Sequence, residues 1–323
     1  MTTTQGGSGH FRQALKAGQF VITAEVNPPV SCLRGDLLAK ALPLKGLADA
    51  VNLTDGAGAR ANMDVVTAAA ILLESGVEPV LQLTCRDRNR IGLQAELLAA
   101  ATWGVRNVLA LRGDDPIVGD QPDAKPVFDL DSRELIETAV MIRDRGQLPS
   151  GRKISGKADF FVGAADTPMD PPPDWSPRGL NDKIVAGAQF AQTQFCMDAG
   201  IVRRYAARLA EEGIFAKCFV LIGVALLRSA RSAQWIRNHL PGAVISEAIV
   251  QRLLGAADPA SESERIALEF LQEMSSIPGI AGVHVMAPNN EAAVPRLLAQ
   301  ARRLTLRRVP PQKKGSQPAG AIA

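Results

Sequence analysis

Short apolar runs recur along the chain, and most meet a polar side chain at or just past their C-terminal end. Residues 20–26 carry Glu25, 50–53 lead to Thr54 and Asp55, 79–84 close on Gln82 and Thr84, 108–112 run into Asp114, and 190–195 hold Gln194 near their end. Three further runs, 160–164, 218–223 and 282–286, bring the number of expected buried strands to eight. Helical periodicity fills most of the gaps, at 33–44, 64–74, 91–103, 131–145, 180–188, 199–212, 230–239, 247–254, 262–275 and 291–302. Strand then helix, repeated eight times, predicts an α/β fold of the (β/α)8 TIM-barrel type with long loops at its C-terminal face. Active sites of such barrels sit at the C-terminal strand ends, where all eight loops converge. The polar strand ends therefore mark an enzyme before any motif is read.

Local signals support these bounds. Asp64 reads as an N-cap, and Gly76 and Gly104 stop the second and third helices. The connection 114–131 is long for a compact barrel and reads as a lid or cofactor-binding segment. Residues 166–177 contain Pro168, Pro171, Pro172, Pro173 and Pro177 and are expected to be irregular. The expected organisation is a disordered N-terminus over 1–10, one barrel domain over 11–306, and a disordered tail rich in Pro, Gly, Lys and Ser over 307–323.

Alternation inside the strands sorts side chains between the barrel interior and the helices. It separates Ile22, Ala24 and Val26 from Val21, Thr23 and Glu25; Val51 and Leu53 from Asn52 and Thr54; and Leu81 and Leu83 from Gln82 and Thr84. On the fourth strand it separates Leu109 and Leu111 from Ala110 and Arg112, with Asp114 of matching parity beyond. The polar sets are expected to converge on the barrel mouth. A carboxylate inside a barrel costs several kcal/mol, of order the penalty for burying a charge, unless it is paired or neutral. Glu25 therefore needs a purpose, whose plainest form is an ion pair with an arginine across the barrel.

Composition narrows the classes. A chain of 323 residues with 46% hydrophobic content can bury one large core, and a net charge of +3 with dispersed basic residues argues against nucleic acid. Cys32, Cys85, Cys196 and Cys218 form no C-x-x-C pair, which disfavours a metal site and a disulfide framework and favours a reducing cytoplasm. Neither a signal peptide nor a membrane-spanning run is expected. Several features have plain readings: Arg112–Gly113–Asp114 as a chance tripeptide, His284 as a core histidine, Cys85 as an inert thiol, and Gly56–Gly58 as too weak for a nicotinamide site. The run Arg86, Asp87, Arg88, Arg90 suits either a phosphate or partner surface or a loop of local ion pairs.

At these residues the chain resembles the methylenetetrahydrofolate reductases, which are flavin-dependent β/α barrels. The likeness lies in residues 24–29 (AEVNPP), 52–56 (NLTDG), 83–85 (LTC), 109–114 (LALRGD), 183–188 (KIVAGA) and 193–195 (TQF), in order along most of the chain. Residues 82–90 (QLTCRDRNR), 161–165 (FVGAA), 192–194 (QTQ) and 282–287 (GVHVMA) are closest to an acetogen-type subgroup that works beside a small zinc-bearing subunit. Gln82 stands where better-known members have a histidine, and about Gly163 where they have a tyrosine. Ser232 and Ile236 replace the family's substrate-binding glutamine and phenylalanine.

The resemblance implies reduction of 5,10-methylenetetrahydrofolate to 5-methyltetrahydrofolate with FAD, and leaves NADH and NADPH open as donors. It implies Glu25 as the general acid, kept protonated by desolvation. Asp114 and Gln194 would bind the substrate. Thr54, Gln82, Arg112, Gly113, Asp114, Phe128 and Lys183 would hold the cofactor. A zinc-bearing subunit and a homo-oligomer stand as candidate partners. The alternatives are a folate- or pterin-binding subunit dependent on another chain, and a methyltransferase-type barrel without its own flavin.

Overall fold

The computed structural model describes residues 9–306. The expectations for residues 1–8 and for the tail from 307 lie outside the described residues. Eight strands close a parallel barrel: β1 (Val21–Val26), β2 (Ala50–Leu53), β3 (Pro79–Thr84), β4 (Asn107–Leu111), β5 (Phe161–Asp166), β6 (Phe190–Met197), β7 (Phe219–Ala225) and, after the short β8 (Val244–Ile245), β9 (Ile280–Met286). β1 pairs with both β2 and β9, and the β5–β6 pairing completes the ring. β8 stands outside it. Its two residues extend the end of β6, Val244 beside Cys196 and Ile245 beside Met197. A strand this short leaves no alternation for a sequence to display.

The helices are α1 (His10–Lys16), α2 (Arg34–Ala41), α3 (Val65–Glu74), α4 (Arg90–Trp103), α5 (Ser132–Arg145), α6 (Arg178–Val185), α7 (Ala199–Glu211), α8 (Ala230–His239), α9 (Glu247–Gly255), α10 (Pro259–Ser276) and α11 (Val294–Ala301). Asp64 caps α3 by accepting from the Thr67 amide, and Gly104 ends α4 at φ 80. At α5, Asp131 and Glu134 form a reciprocal capping box, and such caps are worth about 1 kcal/mol each. α1 has no counterpart in the sequence reading, because seven residues are too few to show a helical period. Its start is held by another element: Glu78 accepts from the amides of Gly9, His10 and Phe11 at 3.1, 2.7 and 3.3 Å.

The barrel buries two separate apolar layers. Ile22, Ala24, Val26, Val51, Leu53, Leu81 and Leu83 face the helices, as the alternation requires. Inside, Val21, Ala50, Val80, Leu109, Phe161, Phe190 and Phe219 form a floor into which α1 inserts Phe11. Phe161 and Phe190 stack with centroids 4.9 Å apart, and Phe11 meets them edge-on at 5.9 and 5.4 Å. β4 departs from expectation. Leu109 lies in register with Gln82 and belongs to the interior floor, whereas Ala110 packs among the helix-facing residues. Arg112 therefore shares the outward parity of Ala110 instead of pointing into the barrel. Only apolar residues follow Asn107 within β4, so the strand's own pattern could not choose between its faces.

Candidate active site

A polar layer lies directly above the aromatic floor. Thr23 on β1, Asn52 on β2, Gln82 on β3, Gln192 on β6 and His284 on β9 are all buried; Thr23, Asn52, Gln192 and His284 are joined to one another, and Gln82 reaches Glu25. Asn52 and Gln192 exchange amide hydrogen bonds of 2.6 and 3.1 Å, and Gln192 Nε2 also donates to Thr23 Oγ1 at 3.0 Å. Thr23 Oγ1 lies 2.9 Å from His284 Nδ1. Each such group left unpaired would cost about 1–3 kcal/mol, so the layer is stable only as a connected set.

Glu25 crowns this layer with its side chain 24% exposed. Its Oε2 accepts from Gln82 Nε2 at 3.3 Å and lies 3.5 Å from His284 Nε2. The arginine partner considered for it is absent among the described residues; an amide and an imidazole take that place. Strand alternation put Glu25, Gln82, Thr23 and Asn52 on inward parities, and the structure joins them. Sequence reading missed the part played by His284 and Gln192. His284 is buried and hydrogen-bonded, as the core-histidine reading expects, and its place on β9 in register with Thr23 also brings its ring to Glu25.

The rim is held more tightly than the sequence suggests. Thr54 is buried and donates its hydroxyl to Asn27 Oδ1 at 2.7 Å. Asp55 accepts from the amide and hydroxyl of Thr84 and takes a two-pronged contact from Arg88 at 2.7 and 2.9 Å. Arg88 also meets Glu96, Arg86 binds Asp87, and Arg90 binds Asp129. The basic run is thus a set of local ion pairs. Burial raises Glu96 from the usual carboxylate range to about 7 despite the Arg88 contact. Its second oxygen, Oε2, is buried without a partner. Cys85 is buried too, and burial pushes its thiol up to about 12, in keeping with an inert group.

Two parts of the rim remain open. After β4, Gly113 adopts φ 90, and a Cβ there would press on Thr84 and Arg86 side chains at 3.0 Å. Arg112 is exposed, has no carboxylate partner among the described residues, and stacks its guanidinium 4.2 Å from the Phe128 ring centroid. Phe128 sits at φ 42, and Ala59 and Asn289 on other mouth loops are also left-handed. Such non-glycine conformations concentrate at functional loops. Asp114, exposed, accepts from the Gly58 amide at 3.2 Å. Across the mouth, Lys183 on α6 donates to the Ala165 carbonyl at 2.7 Å. Beside it Asp166, raised by burial, accepts a hydrogen bond from Tyr205.

Gln194 lies in an irregularity of β6, where register shifts between Gln192 and Phe195. Gly223 of β7 permits this bulge, since a Cβ there would strike the Thr193 carbonyl at 2.5 Å. The side-chain carbonyl of Gln194 accepts the Phe195 amide at 3.0 Å, leaving its NH2 without a partner among the described residues. Gly163 has no Cβ, and one there would meet the Phe190 ring at 2.3 Å. The aromatic floor occupies that space here. A cavity of about 410 Å³ opens at the opposite, N-terminal end beside His10, Lys45, Asp49 and Arg302. There Asp49 is already engaged by the Ile22 amide, His10 and Arg302.

Comparison with known proteins agrees with this geometry. The family model described as methylenetetrahydrofolate reductase matches residues 10–302. Methylenetetrahydrofolate reductase 2 of Schizosaccharomyces pombe is 24% identical over 266 residues, 78% of this chain and 40% of that protein. A probable methylenetetrahydrofolate reductase (NADPH) of Caenorhabditis elegans is 31% identical over 163 residues, 48% of this chain and 22% of that one. The chain thus spans less than half the length of either relative. Among solved structures, an uncharacterized Clostridium thermocellum protein that binds two copies of 5-methyl-5,6,7,8-tetrahydrofolic acid shares the fold with a TM-score of 0.57. It is 12% identical, and the match covers 90% of this chain and 97% of that one.

Proposed function

This chain belongs to the methylenetetrahydrofolate reductase family, and we propose that it reduces 5,10-methylenetetrahydrofolate to 5-methyltetrahydrofolate at the barrel mouth. The observation that carries this reading is Glu25, a carboxyl on top of the interior polar layer that accepts from Gln82 and lies 3.5 Å from the His284 ring. The neighbour that binds methyltetrahydrofolate lends support to a folate ligand. Four unpaired thiols suit a reducing, cytoplasmic setting.

The rim fits a flavin nucleotide. An exposed guanidinium stacked on an aromatic ring, with no carboxylate opposite, suits a phosphate-bearing heteroaromatic group. Arg112, Phe128 and Lys183 would hold FAD, with Gly113 allowing close backbone approach. Thr54 and Gln82 contribute indirectly, since one binds Asn27 and the other Glu25. Bound FAD supplies the hydride for the one-carbon unit.

The protein's own share is acid chemistry and orientation. Opening the bridged ring to an iminium requires a proton on a leaving nitrogen, and Glu25 gives it from its carboxyl. The resulting carboxylate keeps the Gln82 N–H at 3.3 Å, with the His284 ring 3.5 Å away, neither of which needs to move. Gln194 offers its free NH2 to the pterin edge and Asp114 a carboxylate to the pterin's N–H groups. The same groups serve the reverse reaction.

We also propose that electrons enter through a small zinc-bearing partner, on the strength of the acetogen-type motifs at 82–90, 161–165, 192–194 and 282–287. The test of the main reading is direct. Purified protein loaded with FAD and freed of the excess should show a flavin absorption band that dithionite bleaches, and methylenetetrahydrofolate added then without oxygen should form 5-methyltetrahydrofolate. No product with flavin bound would overturn the reduction. Product without flavin would favour a flavin-free barrel.

A further inference from the structure

We propose that His284 is a positioning residue for Glu25, with its tautomer fixed by a one-way hydrogen-bond chain that crosses the barrel interior. The proposal rests on the acid role of Glu25 argued above. The chain starts at the reciprocal amide pair of Asn52 and Gln192, which uses one N–H of each side chain. The second N–H of Gln192 donates to Thr23 Oγ1 at 3.0 Å. That leaves the Thr23 hydroxyl proton to be placed. It can go to His284 Nδ1 at 2.9 Å or to the Val283 carbonyl at 3.4 Å.

The two choices have opposite consequences. If Thr23 donates to Nδ1, a neutral ring carries its proton on Nε2, which lies 3.5 Å from Glu25 Oε2 and presents an N–H to it. If Thr23 donates to the carbonyl, Nδ1 must carry the proton, and Nε2 then faces Glu25 as an acceptor. The second arrangement requires a proton on Oε2, directed into the barrel. Two contacts favour the first: Thr23 Oγ1 is nearer Nδ1 than the carbonyl, and Gln82 Nε2 donates to Oε2 at 3.3 Å, a role that suits the carbonyl oxygen of a carboxyl better than its hydroxyl oxygen. Oε2 then faces two N–H groups, that of Gln82 at 3.3 Å and that of His284 at 3.5 Å, and the transferable proton belongs on Oε1, which has no protein partner among the described residues. The buried layer thus selects which carboxyl oxygen gives up its proton.

The chain has only three histidines, so nitrogen NMR of the labelled ring reads this tautomer in the protein alone. His284 should show a protonated Nε2 and an unprotonated Nδ1, and Thr23→Val should mix the two forms. The reverse tautomer, or protons on both nitrogens, would overturn the proposal. In turnover, His284→Leu should lower kcat about 10- to 100-fold with KM held within about threefold, the scale of a misoriented reacting group. His284→Gln, whose amide N–H can reach the same oxygen, should restore kcat to within about fivefold of the parent. A Gln variant no better than Leu would also overturn it. A wild-type protein that never forms 5-methyltetrahydrofolate would remove the reduction and leave the tautomer result standing.

Discussion

Lys183 and Gln194 stand at the ends of neighbouring barrel segments, and their differing contacts divide the mouth between cofactor and substrate. Lys183 is a cation whose only hydrogen-bond partner among the described residues is the Ala165 carbonyl. Lys183→Ala should weaken FAD binding roughly tenfold, and high salt should reproduce part of that loss by screening. Gln194→Ala should leave the flavin spectrum unchanged and raise the folate KM. Flavin titration of both variants checks this, and equal FAD loss in the two would contradict the division. At this scale the sequence revealed much of the inner site, because strand parity alone placed Glu25, Gln82, Asn52 and Thr23 together. It revealed less of the rim. The register of β4 gives Arg112 the outward parity, which residues 108–111, all apolar, could not display, and Gln194 is redirected by a bulge that needs Gly223 on another strand.

At the scale of single elements, α4 and the loop before it make stability depend on pH. Burial raises Glu96 from 4.5 to about 7, so the folded state resists its ionisation more than the unfolded chain does. The sign follows: this group's contribution is fully present below pH 4.5 and is lost as pH rises through about 7. Glu96→Gln should therefore flatten the stability profile between those values and make the variant the more stable form at pH 8, by up to about 3 kcal/mol. Urea unfolding at pH 5 and pH 8 reads the difference. Identical pH slopes for variant and parent would contradict it.

α1 is the second element with a measurable share. Phe11 is fully buried against Phe161 and Phe190, so Phe11→Ala should cost about 3–5 kcal/mol. A loss under about 1 kcal/mol on denaturant unfolding would mean that the helix does not close the barrel floor in solution. Neither this helix nor β8 was legible in the sequence, since each is shorter than the pattern that would reveal it. α3, α4 and α5 were legible to within a residue, because Asp64, Gly104 and Asp131 mark their ends chemically, whereas α6, α10 and α11 differ from the reading by two or three residues at one end or both.

At the scale of the whole molecule, the closed barrel brings inward residues from β1, β2, β3, β6 and β9 to one polar layer beneath one carboxyl. The basic run at 86–90 attracted attention as a surface to steer an acidic partner, but Arg88 is largely buried between Asp55 and Glu96. Arg88→Glu should therefore unfold the rim, which makes it unsuitable as a docking test. Arg90, exposed and paired with Asp129, remains usable. If electrons arrive through another chain, the protein alone should oxidise NADH and NADPH poorly in the presence of methylenetetrahydrofolate. Rapid partner-free oxidation would contradict that route and strengthen the reduction itself.

The central claim is that Glu25 protonates the folate during its reduction. The most direct measurement is a single turnover without oxygen: protein carrying chemically reduced FAD is mixed with methylenetetrahydrofolate, and 5-methyltetrahydrofolate is quantified over time for the parent and for Glu25→Gln. The glutamine keeps the shape of the side chain and removes its transferable proton. The account predicts that the variant retains its fold and its flavin and forms product about 10² to 10⁴ times more slowly, the usual worth of a positioned general acid. A variant within tenfold of the parent would show that the proton comes from elsewhere.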